Sequence, residues 1–242
     1  MNNLNNIKFA AIILIMSLLT VNTAIASESG LSFSVRLNGG GWSGENKTSG
    51  TEFESTEGGQ VGFNGAYQSG NFYTGLNLQG GEYTFEKNTP DQVSRSGSTE
   101  VSNDKVEHSE LDLIFGYYLT RYFSLFIDIK GVSNTWASNN YEQEFSGVGF
   151  GATGLWPISK TWVAYGSVGA VPSGDIKTGD EKIGEGKSNA VDLGAMYRFS
   201  KAHRIMFGVK RSNYVYTFDS GDEQTHSIGA VYFGYSFAYS LN

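Results

Sequence analysis

A histidine beside a carboxylate or a hydroxyl is the smallest arrangement that moves a proton in hydrolysis. The chain has three histidines, His108, His203 and His226. His108 lies between Glu107 and Ser109, and His226 follows Thr225. His203 closes the short polar stretch Ser200–His203. There is no Cys, which removes thiol nucleophiles, thiolate metal sites and disulfides. A second set of groups is charged: Arg36, Glu110, Asp112, Asp128, Lys130, Asp192, Arg198, Arg204 and Lys210. Each falls on the polar phase of an alternating segment, where it must be ion-paired or solvated. A third set is the acidic residues of the polar stretches between those segments. Oxygen ligands of that kind suit Ca²⁺ or Mg²⁺, but no calcium-loop spacing is present. Simple solvation accounts for them, and neither a metal site nor a cofactor is predicted.

These groups are positioned by period-two alternation. Apolar residues recur at Leu31, Phe33, Val35, Leu37; at Val61, Phe63, Tyr67; and at Phe72, Thr74, Leu76, Leu78. The pattern continues through Leu111–Leu119, Phe123–Ile129, Val148–Trp156, Val191–Phe199, Ile205–Val209 and Val231–Tyr239. This is the half-buried strand signal. Trp162–Val171 is also strand-like but declares no face. Ten strands result. Tight turns at Ser69–Asn71, Thr120–Arg121, Pro157–Thr161 and Ser200–His203 alternate with long polar stretches. The latter are Ser43–Gly59, Glu86–Glu107, Asn134–Phe145, Pro172–Ser188 and Thr217–Thr225, and they read as long loops.

Two architectures alternate this way. A soluble sandwich or lipocalin-like barrel turns the apolar face inward; a membrane barrel turns it outward. Glycine, 32 residues of 242, crowds the polar face, which suits a narrow lumen better than a solvated surface. Aromatics also gather at both strand ends. Tyr67, Phe72, Tyr117, Tyr122, Trp156, Trp162, Tyr197 and Phe199 lie near the tight turns. Trp42, Tyr83, Trp136, Tyr214 and Phe218 lie near the long stretches. Two belts at two membrane interfaces are the expectation. A mean hydropathy of −0.27 excludes a helical membrane bundle. A formal charge of −7 argues against a nucleic-acid partner. The fold expected is all-β: a closed antiparallel up-and-down transmembrane β-barrel of ten strands, with eight as the alternative. Residues 1–26 read as a signal peptide, with Lys8, an apolar run and Ala24-Ile25-Ala26 before the cleavage point. Residues 27–242 form the barrel domain.

The hairpin segments Gly116–Leu125 and Met196–Lys201 resemble turn-flanking hairpins of the Gram-negative outer-membrane β-barrel family, the OmpA/OmpX-like group. The last strand resembles that family's C-terminal assembly signal, with Gly234, Phe237 and Tyr239 in the signal positions. Here Ser240-Leu241-Asn242 follow, whereas the family pattern usually ends on its final aromatic. The resemblance implies an exported outer-membrane protein, in contact with membrane lipid, lipopolysaccharide and, during biogenesis, the barrel assembly machinery. It implies a monomer and specifies architecture rather than activity. Barrels of this kind include proteases and lipid A deacylases, but no protease-like acidic pair with an Asp-x-His partner is present. His203 is at the tight-turn end, and His108 and His226 lie on non-neighbouring strands. Catalysis is therefore not expected.

The tight turn at Ser200–His203 sets facing residues, placing Asp192 opposite Lys210 and Arg198 opposite Arg204. The turn at Thr120–Arg121 places Asp112 opposite Lys130. The expected lumen is a filled polar core of Asp–Lys pairs, since a small barrel is just wide enough for its own side chains. A narrow channel for small solutes is the alternative. Arg211 falls on the outward phase near a loop, where a guanidinium can meet a lipid phosphate or serve as an ordinary rim arginine. The role expected is structural or surface-interacting, adhesin-like, through the loops.

Overall fold

Thirteen strands and no helix make up residues 29–241, which the computed structural model describes. They are β1 (Ser29–Asn46), β2 (Thr51–Glu54), β3 (Glu57–Ser69), β4 (Phe72–Asn88), β5 (Gln92–Ser94), β6 (Gly97–Thr99), β7 (Ser102–Thr120), β8 (Phe123–Trp136), β9 (Glu142–Pro157), β10 (Trp162–Thr178), β11 (Glu181–Arg198), β12 (His203–Phe218) and β13 (Glu223–Leu241). The expected leader, residues 1–26, lies outside the described residues. Ten long strands pair antiparallel with their neighbours, and β13 pairs with β1 from Ser29↔Leu241 to Asn46↔Gln224, which closes the barrel. Closure leaves the ten-strand wall without a free edge, the condition for a sheet in lipid. The three short strands are loop structures: β2 folds back on β1, and β5 and β6 form a separate hairpin.

Across the middle of the wall the alternation points its apolar side outward. Leu37, Ile127, Leu193, Val231 and Phe233 are more than half exposed, and Phe207 and Leu111 nearly so. Leu113 shares that face, between Leu76 and Ile129 in the ladder. An exposed band of this size is stable only against acyl chains. The unassigned strand resolves as β10. Val168 and Trp162 face outward, while Tyr165 and Val171 are buried inside. A bulge between Val171 and Gly174 shifts its register, so no single phase runs its length.

Of the expected long loops, Pro172–Ser188 is almost all wall and Asn134–Phe145 and Thr217–Thr225 are about half wall, whereas Ser43–Gly59 and Glu86–Glu107 keep most of their residues in loops. β1, β4, β7 and β11 run 17 to 19 residues, where about 10 cross the hydrocarbon. At about 3.3 Å per residue along strands tilted by about 40°, the surplus carries the barrel on the order of 20 Å past the lipid. Beyond the band the alternation inverts. Outward positions become mostly polar, such as Glu107, Lys105, Thr135 and Asn213, while the large inward side chains become aromatic or aliphatic, interspersed with buried polar ones such as Gln143 and Gln224. An apolar side chain marks the dry face, and here the dry face is inside, so alternation judged against a lipid face alone looks like loop.

The same inversion overturns the second aromatic belt. Trp42, Tyr83, Trp136, Tyr214 and Phe218 are each 3 % exposed or less and point into the barrel. They form one buried cluster with Phe85, Val106, Val132, Phe145, Ile176, Ile183, Tyr216 and Ile228. Phe53 from β2 and Val93 from β5 complete it from above. The belt at the tight-turn end is on the exterior: Phe72, Trp156, Phe199, Tyr67 and Trp162 are exposed.

Glycine makes room for this filling. A Cβ at Gly116 would sit 2.1 Å from the Tyr73 ring, one at Gly151 2.3 Å from Phe126, and one at Gly44 2.4 Å from Phe53. Large inward side chains therefore lie flat over glycines of neighbouring strands.

Candidate functional site

The lumen has three storeys. At the loop end the aromatic cluster packs edge to face. The Trp42 ring centroid is 5.5 Å from Tyr83 and 5.7 Å from Phe85, at steep interplanar angles. Each such contact contributes about 0.5–1.5 kcal/mol beyond area burial. The loop after β4 covers it. Trp136 Nε1 donates to Pro90 O at 3.1 Å, Gln224 Nε2 donates to Asp91 O at 2.8 Å, and Asn46 Nδ2 donates to Asp91 Oδ1 at 2.8 Å. Asp91 is buried near Glu100 and Asp222. Burial, reinforced by those two charges, pushes its carboxyl up to about 6.

Below the cluster, Glu110 is a hub with no exposed side-chain surface. Its Oε2 accepts from Lys210 at 2.9 Å and from Lys130 at 3.3 Å. Its Oε1 accepts from Tyr214 at 2.8 Å and meets His108 Nε2 at 3.1 Å. Lys130 also donates to Asp112 at 2.7 Å, and Asn77 donates to the other Asp112 oxygen at 2.8 Å. Since β7 and β12 stand five places apart in the strand order, the Glu110–Lys210 and Glu110–Tyr214 contacts tie opposite walls together. A second network joins β1, β11, β13 and β10. Arg36 pairs with Asp192 at 2.8 Å, and its guanidinium lies 4.7 Å from the Tyr232 ring centroid. Tyr232 donates to Asp192, and the Tyr165 and Tyr232 hydroxyls hydrogen-bond each other. Between the two networks is a cavity of about 290 Å³, lined by Asn64, Asn77, Asp128, Thr153 and Ser167 among others. Asp128 Oδ1 has no hydrogen-bond partner there.

The expected pairings meet the structure unevenly. Asp112 faces Lys130 and bonds to it. Asp192 faces Lys210 in the ladder, yet the two do not pair: Asp192 takes Arg36 and Lys210 takes Glu110. Ladder register fixes neighbours on one wall. Long side chains in a narrow lumen reach other walls, and that reach is set by barrel diameter. Arg198 and Arg204 face each other near the tight turns, away from both networks. Gly234 stands opposite Arg36, where a Cβ would come 3.1 Å from Arg36 Cγ. Phe237 and Tyr239 lie on the outer face of the closing strand, opposite Phe33 and Leu31. Arg211 is outward and exposed, with Nε 3.0 Å from Ser227 Oγ and 3.3 Å from Asn213 Oδ1.

The histidines do not form a hydrolytic site with their sequence neighbours. Adjacent strand residues point to opposite faces, so Glu107, Ser109 and Thr225 are outside the wall that encloses His108 and His226. The two histidines do approach through the lumen, each flanking Trp42, at 5.4 and 5.7 Å between ring centroids. Both ring nitrogens of His226 lack a hydrogen-bond partner, and the carboxylate beside His108 is held by two lysines. His203 is at the tight-turn end, bonded to the Tyr235 hydroxyl. Tyr165, Tyr214, Tyr232 and Trp42 are lumen residues that alternation against a lipid face alone does not reveal. The available signal is the run Tyr214, Tyr216, Phe218 at spacing two, alternating with the smaller Val215 and Thr217.

No protein-family model matches the chain, and no curated protein sequence is similar to it. Solved structures are. The outer membrane protease OmpT from Escherichia coli superimposes with a TM-score of 0.57 at 10 % identity, over 90 % of this chain and 99 % of that one. Neisserial surface protein A (NspA) matches at 0.36, with 10 % identity over 85 % and 96 % of the two chains. The Pseudomonas putida toluene transporter TodX matches at 0.31, with 10 % identity over 86 % and 89 %. The fold is that of a small outer-membrane β-barrel, closed, antiparallel and ten-stranded.

Proposed function

We propose that this chain is an integral outer-membrane barrel with a sealed lumen, acting as a structural or surface-interacting element rather than as a catalyst. The carrying observation is the stack of aromatic cluster over Glu110 hub, which fills the lumen from wall to wall. Its apolar band supports contact with membrane lipid. Its acidic, exposed loop end supports a surface role, with lipopolysaccharide the nearest partner and Arg211 a candidate phosphate contact. The strand β13 supports engagement with the assembly machinery through Gly234, Phe237 and Tyr239. The barrel closes on its own strands, which supports a monomer.

The test is conductance in planar bilayers. The proposal expects the folded, heat-modifiable protein to give no steady current. A salt-dependent unitary conductance would contradict it and favour the narrow-channel alternative. For catalysis, the protein is expected to leave lipid A and peptide substrates untouched, and cleavage that is lost in His108→Ala or His226→Ala would contradict the proposal.

A further inference from the structure

Charge is segregated along the barrel axis. Carboxylates crowd the loop end, and the mid-lumen acids are all answered by cations except Asp128. At the tight-turn end the charged side chains are Arg121, Lys160 and Lys201 in the turns and Arg198 and Arg204 on the inner face. Among the described residues no Asp or Glu stands beside them. The nearest acid on the same strand as Arg198 is Asp192, six residues on and roughly 20 Å along the strand.

Arg198 and Arg204 are direct ladder partners on the lumen side. Their Cβ atoms are therefore about 5 Å apart, a spacing at which like charges repel. Neither has an ion-pair partner among the described residues, and Arg204 Nε is buried without any hydrogen bond. Tyr118, from β7 on the opposite wall, comes within electrostatic range of Arg204 and packs at a tilt against Tyr73, with ring centroids 5.1 Å apart. The Tyr73 hydroxyl is in turn tied to Ser124 at 3.2 Å. Two arginines thus face each other at the mouth of the lumen, across from a hydroxyl-bearing wall. Both stand at the level of the outer aromatic belt of Tyr197 and Phe199, which marks the headgroup zone. Each guanidinium can hold two oxygens of a tetrahedral anion.

We infer that the tight-turn mouth of the lumen is a binding site for a phosphate oxyanion, held between Arg198 and Arg204. The anion relieves the facing cations and satisfies the buried Arg204 donor. It is presented either as free phosphate or as a phospholipid headgroup bending over the rim.

The experiment uses the full barrel folded in nonionic detergent. Inorganic phosphate is titrated by calorimetry at constant ionic strength, with chloride as the control. One saturable phosphate per barrel is expected. Arg198→Gln and Arg204→Gln should each weaken it about tenfold, the loss of a charge-assisted hydrogen bond. The double Gln variant should abolish it. Arg121→Gln, in a turn, should leave it unchanged. Folding of each variant is checked by heat-modifiable migration. Should the double Gln variant fail to fold, the Arg198→Lys/Arg204→Lys protein keeps both charges but loses the forks, and weaker binding is expected. A second arm repeats the titration in nanodiscs with and without phosphatidylglycerol. Competition assigns the site to headgroups, and its absence assigns it to free phosphate. Absence of saturable binding above chloride, or equal binding by the double Gln variant, would overturn the inference.

Discussion

The lipid-level and loop-level halves of the barrel are built on one ladder with opposite polarity. At the lipid level, Phe207 and Val209 look outward while Arg204 and Lys210 look inward. A few residues further along β12, Tyr214, Tyr216 and Phe218 look inward while Arg211 and Asn213 look outward. Alternation itself does not change; the water changes sides. An apolar side chain marks whichever face is dry, and in this molecule the dry face switches from outside to inside where the wall leaves the membrane. The Glu110 hub lies at that switch. It bonds downward to Lys130 and Lys210 and upward to His108 and Tyr214.

Removing the hub breaks the comparison most severely. Glu110→Ala leaves Lys130 and Lys210 short of their shared buried counter-charge, and a broken buried pair costs about 3–5 kcal/mol. Urea unfolding of the folded barrel in detergent should show a loss of that size, and a loss near zero would mean that the hub is dispensable. Matched aromatic truncations sharpen the contrast next. Trp42→Ala opens a cavity among protein side chains and should cost about 3–5 kcal/mol. Phe233→Ala on the exterior opens none, because acyl chains follow the surface, and should cost about 1 kcal/mol or less. Equal costs would mean that Trp42 also faces lipid. Charge insertion reads the same boundary from outside. Ile127→Lys in the band should cost about 2–4 kcal/mol, and Thr135→Lys beyond it about 0–1 kcal/mol, measured as bilayer refolding free energies.

The smallest expected effect is one of pH on the cover. The Asp91 carboxyl titrates near 6 in the folded protein, above its value in an unfolded chain. The folded state therefore binds this proton more tightly. The contribution is full below about 4, declines as pH rises towards 6, and is gone above it. A spin label at Ser98→Cys should gain mobility between pH 5 and 7. Adding Asp91→Asn should flatten that response, and a persisting response would assign it to another group.

Much of the barrel was legible because ladder geometry is local. Strand number, the Asp112–Lys130 and Arg198–Arg204 registers and the aromatic belt at the tight turns follow from alternation and turn length alone. The loop-level wall was not legible. Glu107, Lys105 and the rest of its outward polar residues look like loop to a reading that takes the lipid face as the only apolar face. The pairings Arg36–Asp192 and Glu110–Lys210 were hidden for a different reason. They join strands that are not ladder neighbours, so they depend on barrel radius and side-chain length.

The inverted polarity of the wall is tested most directly along β12. The chain has no native Cys, so single cysteines from 205 to 217 can be spin-labelled without background and exposed to oxygen, which concentrates in lipid, and to a water-soluble nickel complex. Labels at 205, 207 and 209 should respond to oxygen, and labels at 211, 213 and 215 to nickel. Labels at 214 and 216 should be shielded from both. Strong oxygen access at 214 and 216 would place those aromatics in the bilayer and contradict the account.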